Sequence, residues 1–215
     1  MFKAGKYWLP DGEKTEHFIK AFKKGGWDLD RLDAVLEFVT NWEVAIDGGA
    51  HVGSWSRTMA KKFKTVYSFE PNPENYECLI ENTRKIKNIK CFQCALSNIE
   101  EKVEMADDEK WPGMSGGKHI IGPGEIEAKP LDSFNIENVG FLKLDVEGYE
   151  PKVLMGAKET IEKYHPIIMI EYKPRILKRY GEKSTVLEIL DSFGYIMLGG
   201  KDSDIAFGYK DQESE

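Results

Sequence analysis

At 215 residues the chain is long enough for a buried core and sits at the upper end of ordinary single-domain size. Its 41% hydrophobic and 31% charged residues exclude the low-hydrophobicity class of disordered chains. The 30 Lys and Arg against 37 Asp and Glu leave a net charge of −7, which argues against general attraction to nucleic acid or an anionic membrane. The basic clusters Lys61–Lys64, Arg84–Lys90 and Lys173–Arg179 read as solvated helix faces.

In chain order, Leu29, Leu32, Val35, Leu36 and Val39 recur at helical spacing between Asp28 and Asn41, with Asp28 as N-cap, giving a helical lead-in over residues 1–42. Val44-Ala45-Ile46 then predicts a strand ending in Asp47, with a glycine-rich turn and a helix from Ser54 to Phe63. Val66 to Phe69 predicts a strand closing on Glu70, and Pro73 to Ile86 a helix with proline in its first turn. Ile89 to Leu96 reads as one further strand.

From Ser97 to Pro130 the regularity lapses. A strand-like Val103-Glu104-Met105 precedes Gly113, Gly116, Gly117, Gly122 and Gly124, a loop or small β insertion over the site at about 107–124. Phe141 to Val146 predicts a strand, Glu150 to Lys163 a helix, and Ile167 to Glu171 an apolar strand covered on both faces. A helix from Thr185 to Phe193 and two edge strands, Tyr195 to Leu198 and Asp204 to Tyr209, complete an α/β pattern in one structural domain, 43–215 being its main body. The three cysteines are an odd number, and Cys91 and Cys94 fall in the Ile89–Leu96 strand, so a disulfide framework, a redox pair or a zinc site is not expected. The opening segment lacks the apolar run of a secretory signal, and the expectation is a cytoplasmic protein with no membrane span.

Alternating strands and helices imply a mostly parallel sheet with ligands outside the carboxyl ends of its strands. The residues at those ends are Asp47, Glu70, Leu96, Asp145 and Glu171, four of them acidic. Asp47-Gly48-Gly49-Ala50-His51-Val52-Gly53 resembles a relaxed dinucleotide fingerprint, but an acid before the turn repels a diphosphate and attracts the ammonium of an amino-acid-bearing cofactor. Glu70 can accept hydrogen bonds from the two hydroxyls of a ribose.

Six segments in order resemble the FkbM-type methyltransferases over residues 43 to 173. They are Asp47-x-Gly49-Ala50-x-x-Gly53, Phe69-Glu70-Pro71-Asn72-Pro73 with Asn75, Leu79 and Asn82, Ala95-Leu96-Ser97, Leu131-Asp132-Ser133-Phe134, Leu142 to Glu150 with Gly156, and Ile170-Glu171. The resemblance implies a class I, Rossmann-like fold with a seven-stranded sheet, helices on both faces and an antiparallel edge hairpin. It also implies S-adenosyl-L-methionine as cofactor and a hydroxyl acceptor on a sugar, glycan or small metabolite. The cofactor would lie on Asp47, Gly48, Gly49, Ala50, His51 and Gly53, on Glu70, Pro71 and Asn72, on Ala95 and Leu96, and against Asp145. The residues before Glu43 and the loop Asp107–Gly124 fall outside the resemblance.

A hydroxyl needs a positioned base or a metal before it attacks a methyl group. Asp145 is expected nearest the reaction, Glu147 as acceptor-binding residue or base, Glu171 in support and His51 as a further base. Asp145 and Glu147 share one side if the strand stays extended through Val146. Glu150 reads either as part of this group or as a helix cap. A divalent metal on Asp145, Glu147 and Glu171 is a less favoured alternative. His119, with Trp111 and Met114, is expected to close over the acceptor. The competing readings are an NAD-dependent oxidoreductase and a non-catalytic binding protein on the same fold.

Overall fold

The computed structural model describes residues 1–27, 29–173 and 185–210; the expected N-cap Asp28 and most of the basic run Lys173–Arg179 lie outside the described residues. The chain opens with a hairpin, β1 (Phe2–Ala4) and β2 (Tyr7–Leu9), and the helices α1 (Glu16–Lys24) and α2 (Leu29–Leu36). β3 (Val44–Gly48), α3 (Ser54–Met59), β4 (Thr65–Phe69), α4 (Pro73–Thr83) and β5 (Ile89–Phe92) follow. Four short strands come next: β6 (Ala95–Leu96), β7 (Glu101–Ala106), β8 (His119–Pro123) and β9 (Ile126–Lys129). The chain ends with β10 (Val139–Leu144), α5 (Glu150–Gly156), α6 (Lys158–Tyr164), β11 (Ile167–Glu171), α7 (Thr185–Ser192), β12 (Tyr195–Lys201) and β13 (Asp204–Tyr209).

The main sheet has seven strands in the order β12-β13-β11-β10-β3-β4-β5. β5, β4, β3, β10 and β11 are parallel, and β13 and β12 close the far edge antiparallel. Successive residues of the strands face opposite layers. Ile46, Leu142 and Ile168 pack with Val153, Leu154 and Leu190 on one face, and Ala45, Phe141 and Met169 pack with Leu32, Val35 and Met59 on the other. From β3 the chain runs outward through β4 and β5, then returns to place β10 on the other side of β3. The strand order reverses between β3 and β10, where a crevice opens at the carboxyl edge. Among the described residues no helix is long and apolar enough to cross a membrane.

Three local expectations are corrected. The lead-in is more than one helix: β1, β2 and α1 form a cluster of their own in which Tyr7, Leu9, Phe18 and Phe22 pack on Val52 and Cys78. The segment 89–96 is two strands, because β6 leaves the main sheet and pairs with β9 in a four-stranded sheet ordered β6-β9-β7-β8. Cys91 and Cys94 thus fall on either side of the break, and both are free thiols. The helix expected from Glu150 to Lys163 is interrupted at Ala157.

Within the parallel core, Lys143 of β10 lies opposite Asp47 of β3 in register. Its Nζ sits 3.0 Å from Asp47 Oδ1, with Asp47 fully buried and Lys143 4% exposed. The ammonium also donates to the carbonyls of Gly48 at 3.2 Å and Gly49 at 2.6 Å, and it lies over the Trp55 ring. Burial works against the lysine charge, but Asp47 and Asp145 outweigh it and hold its pKa above the ordinary value. Removing one member of a buried pair strands the other. Lys143→Met is therefore expected to cost about 3–5 kcal/mol of unfolding free energy in urea titration. Adding Asp47→Leu should recover much of that loss; a double variant no more stable than the single one would refute the pairing.

Candidate active site

The turn after β3 is built against β4 and β10. Gly49 and Ala50 donate their backbone N–H groups to the Phe69 carbonyl at 3.0 and 2.9 Å, and the N–H of His51 reaches Glu70 Oε2 at 2.8 Å. Gly49 holds φ +75°, and a Cβ there would stand 1.9 Å from the Asp145 carbonyl oxygen, so any side chain would force β3 and the end of β10 apart.

A cavity of about 260 Å³ lies over this turn. One part is walled by Gly49, Ala50, Phe69, Glu70, Ala95 and Leu96. Another is walled by Phe18, Phe22 and Trp27 of the N-terminal segment together with Met105, Met114 and Ile120 of the small sheet and its loop. Asp145, Glu147, Glu171, Lys143 and Lys173 line the region between β10 and β11.

Glu70 is buried at the end of β4. Its Oε1 accepts from the Asn72 N–H at 2.9 Å and faces Asn75 Nδ2 at 3.5 Å, while Oε2 takes the His51 N–H. Burial pushes its pKa up to about 7 against those hydrogen bonds. Oε1 already takes two donors, whereas Oε2 has room for one more. His51 sits at φ +51° beside the rings of Phe18 and Phe22, and burial holds its imidazole down to about 4.

Oxygen atoms of Asp145, Glu147 and Glu171 lie within 4.8 Å of one another. Strand alternation does not bring Asp145 and Glu147 together, because β10 ends at Leu144 and the chain turns at Val146. A left-handed Glu147 at φ +55° followed by Gly148 at φ +102° does so instead. Glu150 shapes that turn: its Oε1 accepts from the N–H groups of Val146 at 3.1 Å and Gly148 at 3.3 Å. Burial lifts Glu150 to about 7, and burial with the Asp145 charge lifts Glu171 to about 9, although Lys173 is ion-paired to Glu171. Such hard oxygen donors could hold a divalent cation or a hydroxyl and its proton.

The remaining expected residues are placed as follows. Pro71 lines the cavity, whereas Asn72 caps α4 through its side chain and Gly48 and Gly53 lie behind the turn. Asp47 does not reach the cavity to meet a ligand ammonium; its carboxylate faces Lys143 and accepts from Ser56 Oγ at 2.5 Å. His119 and Trp111 are not part of the wall, which draws on Met114, Ser115 and Gly116 of the loop instead. Sequence reasoning missed Lys143, although a lone lysine between Leu142 and Leu144 in an apolar strand was the available signal. It also missed Asp204, buried at the start of β13, lifted to about 6 by burial and paired to Arg31 at 3.2 Å. The N-terminal aromatics Phe18, Phe22 and Trp27 were missed as well, the four-residue spacing of Phe18 and Phe22 being too short a pattern to mark them.

The shifted acids set the pH response of the fold. Glu70, Glu150 and Glu171 have folded pKa values above the ordinary carboxyl value of 4.5, so the folded chain holds protons that the unfolded chain releases. Their stabilisation is complete below about pH 4.5 and is lost as pH rises through 7 and, for Glu171, toward 9. His51 acts in the opposite sense: its contribution is present above 6.5 and lost as pH falls toward 4. Urea unfolding between pH 7 and 9 should show stability declining with pH, and Glu150→Gln should flatten the decline between pH 5 and 7. An unchanged slope in that variant would contradict the buried, protonated Glu150.

The family of the methyltransferase FkbM domain matches residues 47–197. Hexuronic acid methyltransferase AglP of Haloferax volcanii is 26% identical over 154 residues, covering 68% of this chain and 62% of that protein. The 2-O-methyltransferase NoeI of Sinorhizobium fredii is 25% identical over 177 residues, covering 70% of this chain and 72% of that protein. The crystal structure of the methyltransferase FkbM from Methylobacillus flagellatus superposes with a TM-score of 0.50 at 18% identity, covering 79% of this chain and 44% of that one. The chain thus spans less than two thirds of AglP and less than half of the solved FkbM chain. The seven-stranded sheet, its topological switch and the match over residues 47–197 together make this chain a member of the FkbM methyltransferase domain family.

Proposed function

We propose that the chain is an S-adenosyl-L-methionine-dependent methyltransferase acting on a hydroxyl group of a sugar, glycan or small metabolite. The observation that carries this reading is the convergence of Asp145, Glu147 and Glu171 in the same cavity as Glu70, at the switch point between β3 and β10. AglP and NoeI, a hexuronic acid methyltransferase and a 2-O-methyltransferase, support a sugar hydroxyl as acceptor.

The residues present fit the cofactor. Glu70 has acceptor capacity left on Oε2 for a ribose hydroxyl, Ala95 and Leu96 offer an apolar wall for an adenine, and the acids beside Gly49 suit a cationic centre. The turn suits a diphosphate poorly, since the N–H groups of Gly49, Ala50 and His51 are already bonded to Phe69 and Glu70. That observation counts against the NAD-dependent alternative. When bound, the cofactor supplies a methyl group on a positively charged sulfur.

The chain's own part is to orient the acceptor and take its proton. Asp145 is the proposed base, and Glu147 the proposed acceptor-binding residue. Glu171, whose pKa is raised by burial and the Asp145 charge, supports that pair from β11 beside Lys173. His51 contributes a neutral ring. The aromatic wall of Phe18, Phe22 and Trp27 with Met114 excludes water from the region where the proton moves.

Transfer of a labelled methyl group from S-adenosyl-L-methionine to hexuronic acids and hexuronate-containing glycans tests the reading. Asp145→Asn should keep cofactor affinity and lose about 100-fold or more in kcat. Glu70→Ala should weaken cofactor binding about tenfold, the loss expected for hydrogen bonds to a charged acceptor. Full turnover by Asp145→Asn would remove Asp145 from the base role.

A further inference from the structure

We propose that Glu13 is a positioning residue of this active site, acting through Ser115 to fix His51 in the tautomer protonated on Nε2. The role in turnover rests on the methyltransferase reading above; the tautomer does not. The carboxylate oxygen Oε2 of Glu13 accepts from both the backbone N–H and the hydroxyl of Ser115, at 2.8 and 2.7 Å. Its other oxygen accepts from the Thr15 N–H at 2.7 Å, which pins the carboxylate from both ends. The same Ser115 Oγ lies 2.8 Å from His51 Nε2. A serine hydroxyl carries one proton, and that proton is directed at Glu13. Ser115 Oγ can then only accept from His51, so Nε2 bears the ring proton and Nδ1 is left as an acceptor.

Three further contacts tie this relay to the proposed ribose site. The Ser115 carbonyl accepts from Asn75 Nδ2 at 3.0 Å, that amide also faces Glu70 Oε1, and Glu70 Oε2 holds the His51 backbone. The ring and the backbone of His51 are thus gripped by one network, which joins the N-terminal segment, the loop of the small sheet, the turn after β3 and the end of β4. Glu13 and Ser115 are buried, and the half-buried histidine ring beside them lines the cavity.

The charged groups facing His51 are Glu13 and Asp145, which favour its cation, and Lys143, which opposes it. Phe18 and Phe22 pack against the ring with centroids 5.4 and 6.2 Å away, and burial outweighs the two acids. A ring held neutral adds no positive charge beside a cationic cofactor, and its Nδ1 can accept a hydrogen bond from a hydroxyl in the cavity. Glu13, Phe18 and Phe22 all precede residue 47, where the family match begins. The N-terminal segment therefore completes a site whose other parts belong to the family domain.

Long-range proton–nitrogen spectra of histidine-labelled full-length protein read the tautomer directly, with the His51 signals assigned by their loss in His51→Gln. We expect the wild-type protein to show a neutral ring protonated on Nε2 from pH 8 down to about pH 5. Ser115→Ala should abolish that pattern, and Ser115→Thr, which keeps the hydroxyl, should restore it. In the methyl-transfer assay, Glu13→Gln and Ser115→Ala should lower kcat about tenfold while the dissociation constant for S-adenosyl-L-methionine stays within about twofold. A protonated Nδ1 in the wild type, or an unaltered pattern in Ser115→Ala, would overturn the relay. Unchanged kcat in both variants would overturn the positioning role. The expected tautomer in a protein that methylates no acceptor would uphold the relay and count against the methyltransferase reading instead.

Discussion

A buried lysine that must stay charged governs the carboxyl edge of this sheet. Lys143 can keep its proton only because Asp47 stands opposite it on the neighbouring strand and the carbonyls of Gly48 and Gly49 take its remaining donors. The requirement runs both ways, since Asp47 is fully buried and needs the lysine as much as the lysine needs it. Their pairing fixes the register of β3 against β10 and the course of the glycine turn above them. The turn then places His51 against Glu70, and the end of β10 sends Asp145 toward Glu147 and Glu171.

The acids in and behind the cavity divide by environment. Asp47 is neutralised by a cation and serves the scaffold, and Glu150 is held by two backbone N–H groups and serves the turn. Glu70 keeps hydrogen-bonding capacity directed at the cavity, and Asp145, Glu147 and Glu171 crowd so closely that burial and mutual repulsion lift Glu171 far above an ordinary carboxylate. On the proposed reading, this cluster receives the positive centre of the cofactor and exchanges a proton with a hydroxyl, the two demands of methyl transfer from a sulfonium.

Most of the main sheet was legible in the sequence because its strands are short apolar runs ending in acids, each followed by a helix with a readable start such as Pro73. The residues at the strand ends, Glu70, Asp145 and Glu171, followed from the topology rule for parallel sheets. What stayed hidden depends on contacts distant in sequence. The charge on Asp47 was read as facing a ligand because its partner lies 96 positions later, a lone lysine in an otherwise apolar strand. The departure of β6 to the small sheet is decided by β9, and no local signal at Gln93 marks the break. Glu147 was expected to reach Asp145 by strand alternation, whereas a left-handed turn held by Glu150 produces the same meeting by another route. The N-terminal segment contributes Glu13 from the loop before α1, Phe18 and Phe22 of α1, and Trp27 beyond it, and elements of three to nine residues are too short for periodicity to reveal them.

The central claim is that the cavity between β3 and β10 is built for S-adenosyl-L-methionine. Isothermal titration of the full chain with S-adenosyl-L-methionine, S-adenosyl-L-homocysteine and NAD measures this directly. The account predicts that the first two bind one to one with dissociation constants on the order of micromolar, about −8 kcal/mol, and that NAD gives no heat of binding. Binding of NAD with no response to either sulfur compound would contradict it.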